Sequence, residues 1–344
     1  MKTLALLFLS FCISVCAIAQ DRNEEPYMVK TLSGADIRNV LVETSGGSIY
    51  VDGNGQSSPR VEVYVHGNNP FSLSKNEIKE RLEKYYDLRI TAENHQLKAT
   101  AKNKESHWFN NHSLNISFKI YVPAKVTTDL TTSGGSIHIA NLEGDQKFVT
   151  SGGSLHVEHI LGKIRGTTSG GSIHVSDSKP DMDLETSGGS IEANNCEGRI
   201  KLATSGGSLN LSHLQGDINA ETSGGSIRGE DVNGELNTGT SGGSINLTQM
   251  ACSLKASTSG GNVNVQMRKL GSFLRVSADG GHADVELPAS EHANLDIQGN
   301  RVNAANMEHF SGEQTKEKIV GKINGGGAEV MVRASSGHAN IKFN

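Results

Sequence analysis

From Thr132 onwards, apolar and polar positions alternate on a fixed beat. Counting each segment from the threonine of a Thr-Ser-Gly-Gly-Ser motif, position 6 reads Ile137, Leu155, Ile173, Ile191, Leu209, Ile227, Ile245 and Val263. Positions 8 and 11 are apolar as well. Position 15 reads Ile164, Met182, Ile200, Ile218, Leu236 and Leu254 after one polar Gln146, and position 17 completes the second run. A spacing of two is the mark of a strand with one face buried. The motif begins at Thr132, Thr150, Thr168, Thr186, Thr204, Thr222 and Thr240, with Thr-Ser-Gly-Gly-Asn at Thr258, so every step is 18 residues. Phase held through that many intervals predicts one structural unit per repeat, its length set by geometry.

Two short strands per unit follow, separated by corners. Gly134 and Gly135, Gly152 and Gly153, Gly170 and Gly171, Gly188 and Gly189, Gly206 and Gly207, Gly224 and Gly225, and Gly242 and Gly243 are the structural corner, expected to supply positive φ. Gly144, Gly162, Gly198, Gly216 and Gly234 at position 13 mark a second bend. A Gly-Gly pair in every repeat excludes helices. Propeller blades need about 40 residues, which excludes hairpin repeats. The prediction is an all-β fold: a right-handed parallel β-helix, or β-solenoid, of 18-residue coils stacked at roughly 4.8 Å. Position 14, running Asp145, Lys163, Asp181, Arg199, Asp217, then places alternating charges in one outward column.

The ends depart from the beat. An isolated Thr-Ser-Gly-Gly-Ser at Thr44, 88 residues before Thr132, reads as an early coil followed by an interruption. Within it Ser74 and Glu77 form a capping-box signature, and Ile78, Leu82 and Tyr85 mark one face of a short helix to about Tyr86, expected to cap the solenoid. Strand-like stretches flank it at 61–65, 88–91, 97–101 and 114–122. Beyond Thr258 the phase slips by two residues to Asp279-Gly280-Gly281. Residues 323–327 and 335–338 repeat the corner chemistry, and 288–318 reads as a loop or irregular cap. The expected organisation is a signal peptide at 1–19; an N-terminal coil, strands and capping helix at 20–131; regular repeats at 132–275; and divergent coils with a cap at 276–344.

Lys2, the apolar run 4–15 and Ala17-Ile18-Ala19 predict export with cleavage after Ala19. The run is too short to span a bilayer and acids follow at once, so no retained transmembrane helix is expected. Phe11 and Val15 precede Cys12 and Cys16, where a lipoprotein signal wants small residues, and this disfavours a lipid anchor. Loss of the signal takes the formal charge from −5 to −6, because Lys2 is its one charge. With no basic run, nucleic acid is not an expected partner. Cys196 and Cys252 remain, at positions 11 and 13 of coils three apart, too distant for a disulfide.

VPAKV at 122–126, the run of TSGGS coils and the closing NGGGAEVMVRASSG at 324–337 resemble the bacterial putative-adhesin family of β-strand-repeat proteins of unknown function. The resemblance covers roughly Ile37 to the C-terminus. It implies a single-stranded β-helix in an exported or surface protein, and carries no catalytic residues over. The signal peptide also resembles those of Bacteroidetes, so the expected location is periplasmic, outer-membrane-associated or secreted in a Gram-negative bacterium.

Candidate chemistry is sparse. His138, His156 and His174 occupy position 7 of successive coils, and with Glu192 next in the column they are the candidate metal ligands. If the column stacks, acidification below about pH 6 places like charges in a row. The corners offer neutral oxygens where calcium-binding β-rolls carry aspartates. No Lys follows the glycine pairs as phosphate loops require, and the repeated serines have no fixed His or Asp partner. Flat Thr arrays for ice binding would need the Thr column exposed. Glu158, Asp177, Glu192 and Arg228 are the carboxylates and arginine a polysaccharide-cleaving β-helix would use, but their columns and coils differ. No cofactor is expected. The expected function is therefore a non-catalytic, adhesin-like structural or interaction protein binding a surface polymer, glycan or protein. A carbohydrate-active enzyme and a polymer formed through the solenoid ends are the alternatives.

Overall fold

Residues 18 apart lie side by side in parallel strands throughout the repeats: Ile137 beside Leu155, Leu155 beside Ile173, Ile173 beside Ile191, and so on to Val263. This computed structural model describes residues 25–32, 34, 36–54, 58–67, 73–104 and 113–344. The expected signal peptide, with Cys12 and Cys16, falls outside them. The described chain is almost entirely β, one open, solenoid-like sheet with a single helix.

The inner columns are those the periodicity marks. Every position-6 residue from Ile137 to Val263 is at most 1% exposed, and positions 15 and 17 are buried with them. Where a column breaks its own rule, a neighbour explains it. Position 17 is Gly166 because Phe148 fills the space from the coil before: a Cβ there would meet its ring at 2.2 Å. Burial of such aliphatic side chains contributes about 1.5–3 kcal/mol each, and this core, with no disulfide among the described residues, holds the coils together. Both Cys196 and Cys252 are buried free thiols.

The corners work differently from the expectation. Neither glycine of the pair has left-handed φ from Gly134–Gly135 onward. What position 4 lacks is room: a Cβ on Gly153, Gly171 or Gly189 would sit 2.0–2.1 Å from the carbonyl oxygen of the equivalent glycine one coil earlier. Position 3 has space, with nearest atoms at 3.6 Å from Gly152 and Gly170. The buried position-1 threonine uses the same carbonyl. Thr150 Oγ1 donates to Gly135 O at 2.8 Å and accepts from its own Gly153 N–H at 3.3 Å, and each Thr down to Thr258 repeats this. Left-handed backbone occurs instead at position 10, in Asn141, His159, Asp177, Asn195, His213, Asp231 and Gln249, and at the position-13 glycines. Asn, Asp and His tolerate that conformation best among non-glycine residues.

Position 5 carries a second ladder. Ser154 N–H donates to Ser136 Oγ, Ser172 N–H to Ser154 Oγ, and the chain of acceptors continues through Ser244 to Asn262, His282 and the His338 N–H. These serines therefore serve the neighbouring coil's backbone as well as facing out. The position-14 charges are in register from Lys163 to Asp217. Ion pairs between coils close on other columns, as in Lys147–Asp129 at 3.6 Å and Lys201–Asp183 at 3.1 Å.

At the N-terminal end the strand Asn39–Thr44 pairs with Thr127–Thr132, placing Thr44 beside Thr132 across the interruption. On its other side lies Gln96–Asn103, itself paired antiparallel with Tyr86–Glu93. The strand Ile49–Asp52 likewise sits between Ile137–Ala140 and Leu114–Tyr121. The helix Lys75–Tyr85 carries both bonds of the capping box at Ser74 and Glu77, and buries Ile78 and Leu82 against the strands Arg60–Gly67, Tyr86–Glu93 and Leu114–Tyr121.

At the C-terminal end the two-residue slip is a bulge: Cys252 pairs with Leu270, 18 residues on, but Leu254 pairs with Leu274, 20 on. The segment 288–318 is not a loop. It holds the strands Ala293–Ala305 and Phe310–Gln314, with Ala293, Leu295 and Ile297 buried at a spacing of two that interspersed polar residues disguise. The last strand, Ala328–Phe343, lies between Val263–Ala278 with Ala283–Leu287 on one side and Ala293–Ala305 on the other. Residues 323–327 are likewise not a corner of the repeat type. Asn324, Gly325 and Gly326 have left-handed φ and reverse the chain from the antiparallel strand Lys318–Ile323 into the last strand.

Candidate functional site

The outward position-7 column runs unbroken in register through Tyr50, His138, His156, His174, Glu192, Asn210, Arg228, Asn246, Asn264 and Asp284 to Asn340 and Asn303. Parallel strands bring like positions together, so its first members become a pile of rings. Tyr50 stacks on His138 at 4.8 Å between centroids, His138 on His156 at 5.8 Å, and His156 on His174 at 5.1 Å with planes 8° apart. Tyr121 adjoins Tyr50 at 6.3 Å, and the Arg60 guanidinium lies 3.9 Å over the Tyr121 ring.

The electrostatics follow from burial. Desolvation, then Asp52, pushes the Tyr50 phenol up to about 12. Desolvation also lowers the pKa of His138 and of His156; at His156 the neighbouring imidazoles add to the shift and Glu158 opposes it. An imidazole with a lower pKa folded than unfolded takes up protons preferentially on unfolding. Its contribution to stability is therefore present above the ordinary value of 6.5 and lost as the pH falls through the folded value.

A shallow groove of about 340 Å³ runs beside the pile, bordered by His156, Glu158, His174, Asp177, Glu192 and Asn194. Three of the four groups named for a polysaccharide-cleaving site thus border one groove although they occupy different columns. Columns 7, 9 and 10 are neighbours, and the left-handed bend at Asp177 brings its carboxylate round to them. Arg228 lies two coils beyond Glu192. Two of these carboxylates have partners: Glu192 Oε2 accepts from His174 Nδ1 at 3.2 Å, and Asp177 lies 3.8 Å from His159 Nε2 and accepts from Asn195. The imidazole planes of the pile lie nearly parallel, so their nitrogens do not converge as they stand. Among the described residues no three or more His, Cys, Asp or Glu side chains gather round one metal-sized point.

A larger groove, about 780 Å³, lies where the turn 314–318 folds over Ala293–Ala305, bordered by Arg301, Asn303, Gln314 and Lys316. Sequence reasoning missed it because the strands forming it lack the 18-residue beat. Among the described residues no helix is long and apolar enough to cross a membrane.

No curated protein matches the chain. Solved structures similar to it include a putative cell adhesion protein from Clostridium sporogenes, 12% identical over 92% of this chain and 98% of that one, with a TM-score of 0.21. A putative adhesin from Bacteroides fragilis is 11% identical over 92% and 96%, with a TM-score of 0.31. A putative lipid binding protein from Parabacteroides distasonis is 12% identical over 92% and 97%, with a TM-score of 0.27. Residues 233–342, which include the motifs at Thr240 and Thr258 and the closing NGGGAEVMVRASSG, match the family described as Toastrack DUF4097.

Proposed function

We propose that the chain is an exported, non-catalytic, adhesin-like β-solenoid of the bacterial cell envelope. Its coils of 18 residues wind right-handed, as crossovers between parallel strands of one sheet almost always do. The helix Lys75–Tyr85 and the outer antiparallel strands close its ends, which keeps open edges from propagating. One observation carries the reading: the position-7 column is continuous from Tyr50 to Asn303, a polar ribbon along the stacked coils. A repeated ribbon of amides, imidazoles and carboxylates fits a repeating partner, a surface polymer, glycan or protein, better than a single small substrate.

Fractionation with protease shaving of intact cells, then a glycan array on the purified chain, tests this. Envelope location and binding to a repeating polymer, weakened by Asn210→Ala with Asn246→Ala at unchanged melting temperature, are expected. Retention of an unprocessed chain in the cytoplasm would refute export. A second reading, a carbohydrate-active enzyme, is favoured by the gathering of Glu158, Asp177 and Glu192 in one groove. Glycan cleavage lost in Glu158→Gln would establish it instead.

A further inference from the structure

We infer that His156 and His174 form a two-imidazole site for a late first-row divalent cation, copper(II) or nickel(II) ahead of zinc. The two residues pair in register on adjacent parallel strands, and their rings lie 5.1 Å apart between centroids. Metal–imidazole bonds of about 2.0–2.1 Å require the two nitrogens to come within about 3–4 Å of each other. A turn of the half-exposed His174 ring about its side-chain torsions closes that gap.

The tautomer is already set. The Glu192 carboxylate can only accept, so the 3.2 Å contact places the His174 proton on Nδ1 and leaves Nε2 free to bind a cation. Glu158 and Asp177 border the same groove and add negative charge beside the donors. His138 makes the poorer partner for His156: its ring is held against Tyr50 at 4.8 Å and lies 5.8 Å from His156, farther than His174 at 5.1 Å. Two protein nitrogens with water in the remaining positions suit the tetragonal geometry of copper(II) or nickel(II). A structural zinc site would want four protein donors.

Titration of the purified chain with copper(II), followed by calorimetry and electron paramagnetic resonance, tests it. One ion per chain with nitrogen ligation is expected. His156→Asn and His174→Asn should each weaken binding at least about tenfold, Glu192→Gln about tenfold, and His138→Asn should leave it unchanged. Asparagine already occupies this column at Asn210, Asn246 and Asn264, so the variants have a precedent for folding, checked by metal-free melting. Wild-type affinity in His174→Asn, or an equal loss in His138→Asn, would overturn the assignment.

Discussion

In the regular coils every residue finds its neighbour 18 positions away, whereas towards the two ends parallel partners lie 35 to 88 positions apart and the outermost strands turn antiparallel. Both ends also interleave. The early coil Asn39–Thr44 lies inside strands that follow it, and the final strand lies inside strands that precede it. Translation by one coil makes a column in space equal a phase in sequence. That identity also concentrates sensitivity, because a side chain that fails at one position must fail wherever the position recurs. The ends escape this and pay with contacts of long loop closure.

The largest effect expected separates two adjacent glycines of the regular region. Gly171→Ala puts a Cβ 2.0 Å from the Gly153 carbonyl oxygen, a backbone atom that can move only by parting two coils. Gly170→Ala meets nothing nearer than 3.6 Å. A loss of about 3 kcal/mol or more is expected for the first and below about 1 for the second, by denaturant unfolding. Equal losses would mean that corner conformation, not coil spacing, demands the glycines.

Next comes the threonine column, which marks the border between the two regimes: it runs from Thr44 to Thr258 and then gives way to Ala278 and Ala334 at equivalent places. Thr168→Val keeps the shape and removes the bridge to Gly153 O at 2.7 Å, leaving that half-buried carbonyl short of a donor. A cost of about 1–3 kcal/mol is expected, largely restored by Thr168→Ser. A neutral Thr168→Val would show the bridge to be decorative.

Both thiols lie within the repeat array and can report whether a disturbance of the ends spreads inward. Burial pushes Cys196 up to about 11 and Cys252 up to about 12 from an ordinary 9.0. Neither should react with a thiol reagent at pH 8 until the coils open. Because the folded values are raised, the stability they confer is complete below about pH 9 and lost as the pH climbs through 11 to 12. A Cys196→Ala, Cys252→Ala variant should therefore lose stability less steeply between pH 9 and 11 than the parent. Parallel slopes would contradict this.

What could be read from the sequence follows the same division. The inward columns, the helix at Ser74 and the bypass from Thr44 to Thr132 were legible because each rests on spacing. Gly153 and Gly152 were not told apart, since a shortage of room between coils leaves no trace in a single repeat. The left-handed column at Asn141, His159 and Asp177 went unnoticed, though its Asn, Asp and His content was a usable signal. Residues 293–297 were lost because their burial depends on a final strand that arrives 35 residues later in register. The groove at His174 needed both facts at once: adjacent columns, and a bend that swings Asp177 towards them.

The smallest effect expected lies where the position-5 ladder crosses from the regular coils into the last strand. There serine gives way to Asn262 and then to His282, whose Nδ1 accepts the His338 N–H at 3.0 Å. The backbone wants only an acceptor, so the chemistry of the residue is free as long as one lone pair arrives. His282→Ala should cost no more than about 1 kcal/mol, because the site is exposed and water can replace the bond. Amide exchange at His338 is the sharper measure: faster in His282→Ala, and back to the parent rate in His282→Asn, which copies Asn262 one coil earlier. If exchange at His338 is the same in all three, the ladder ends at Asn262 and the final strand is held by its inward side chains alone.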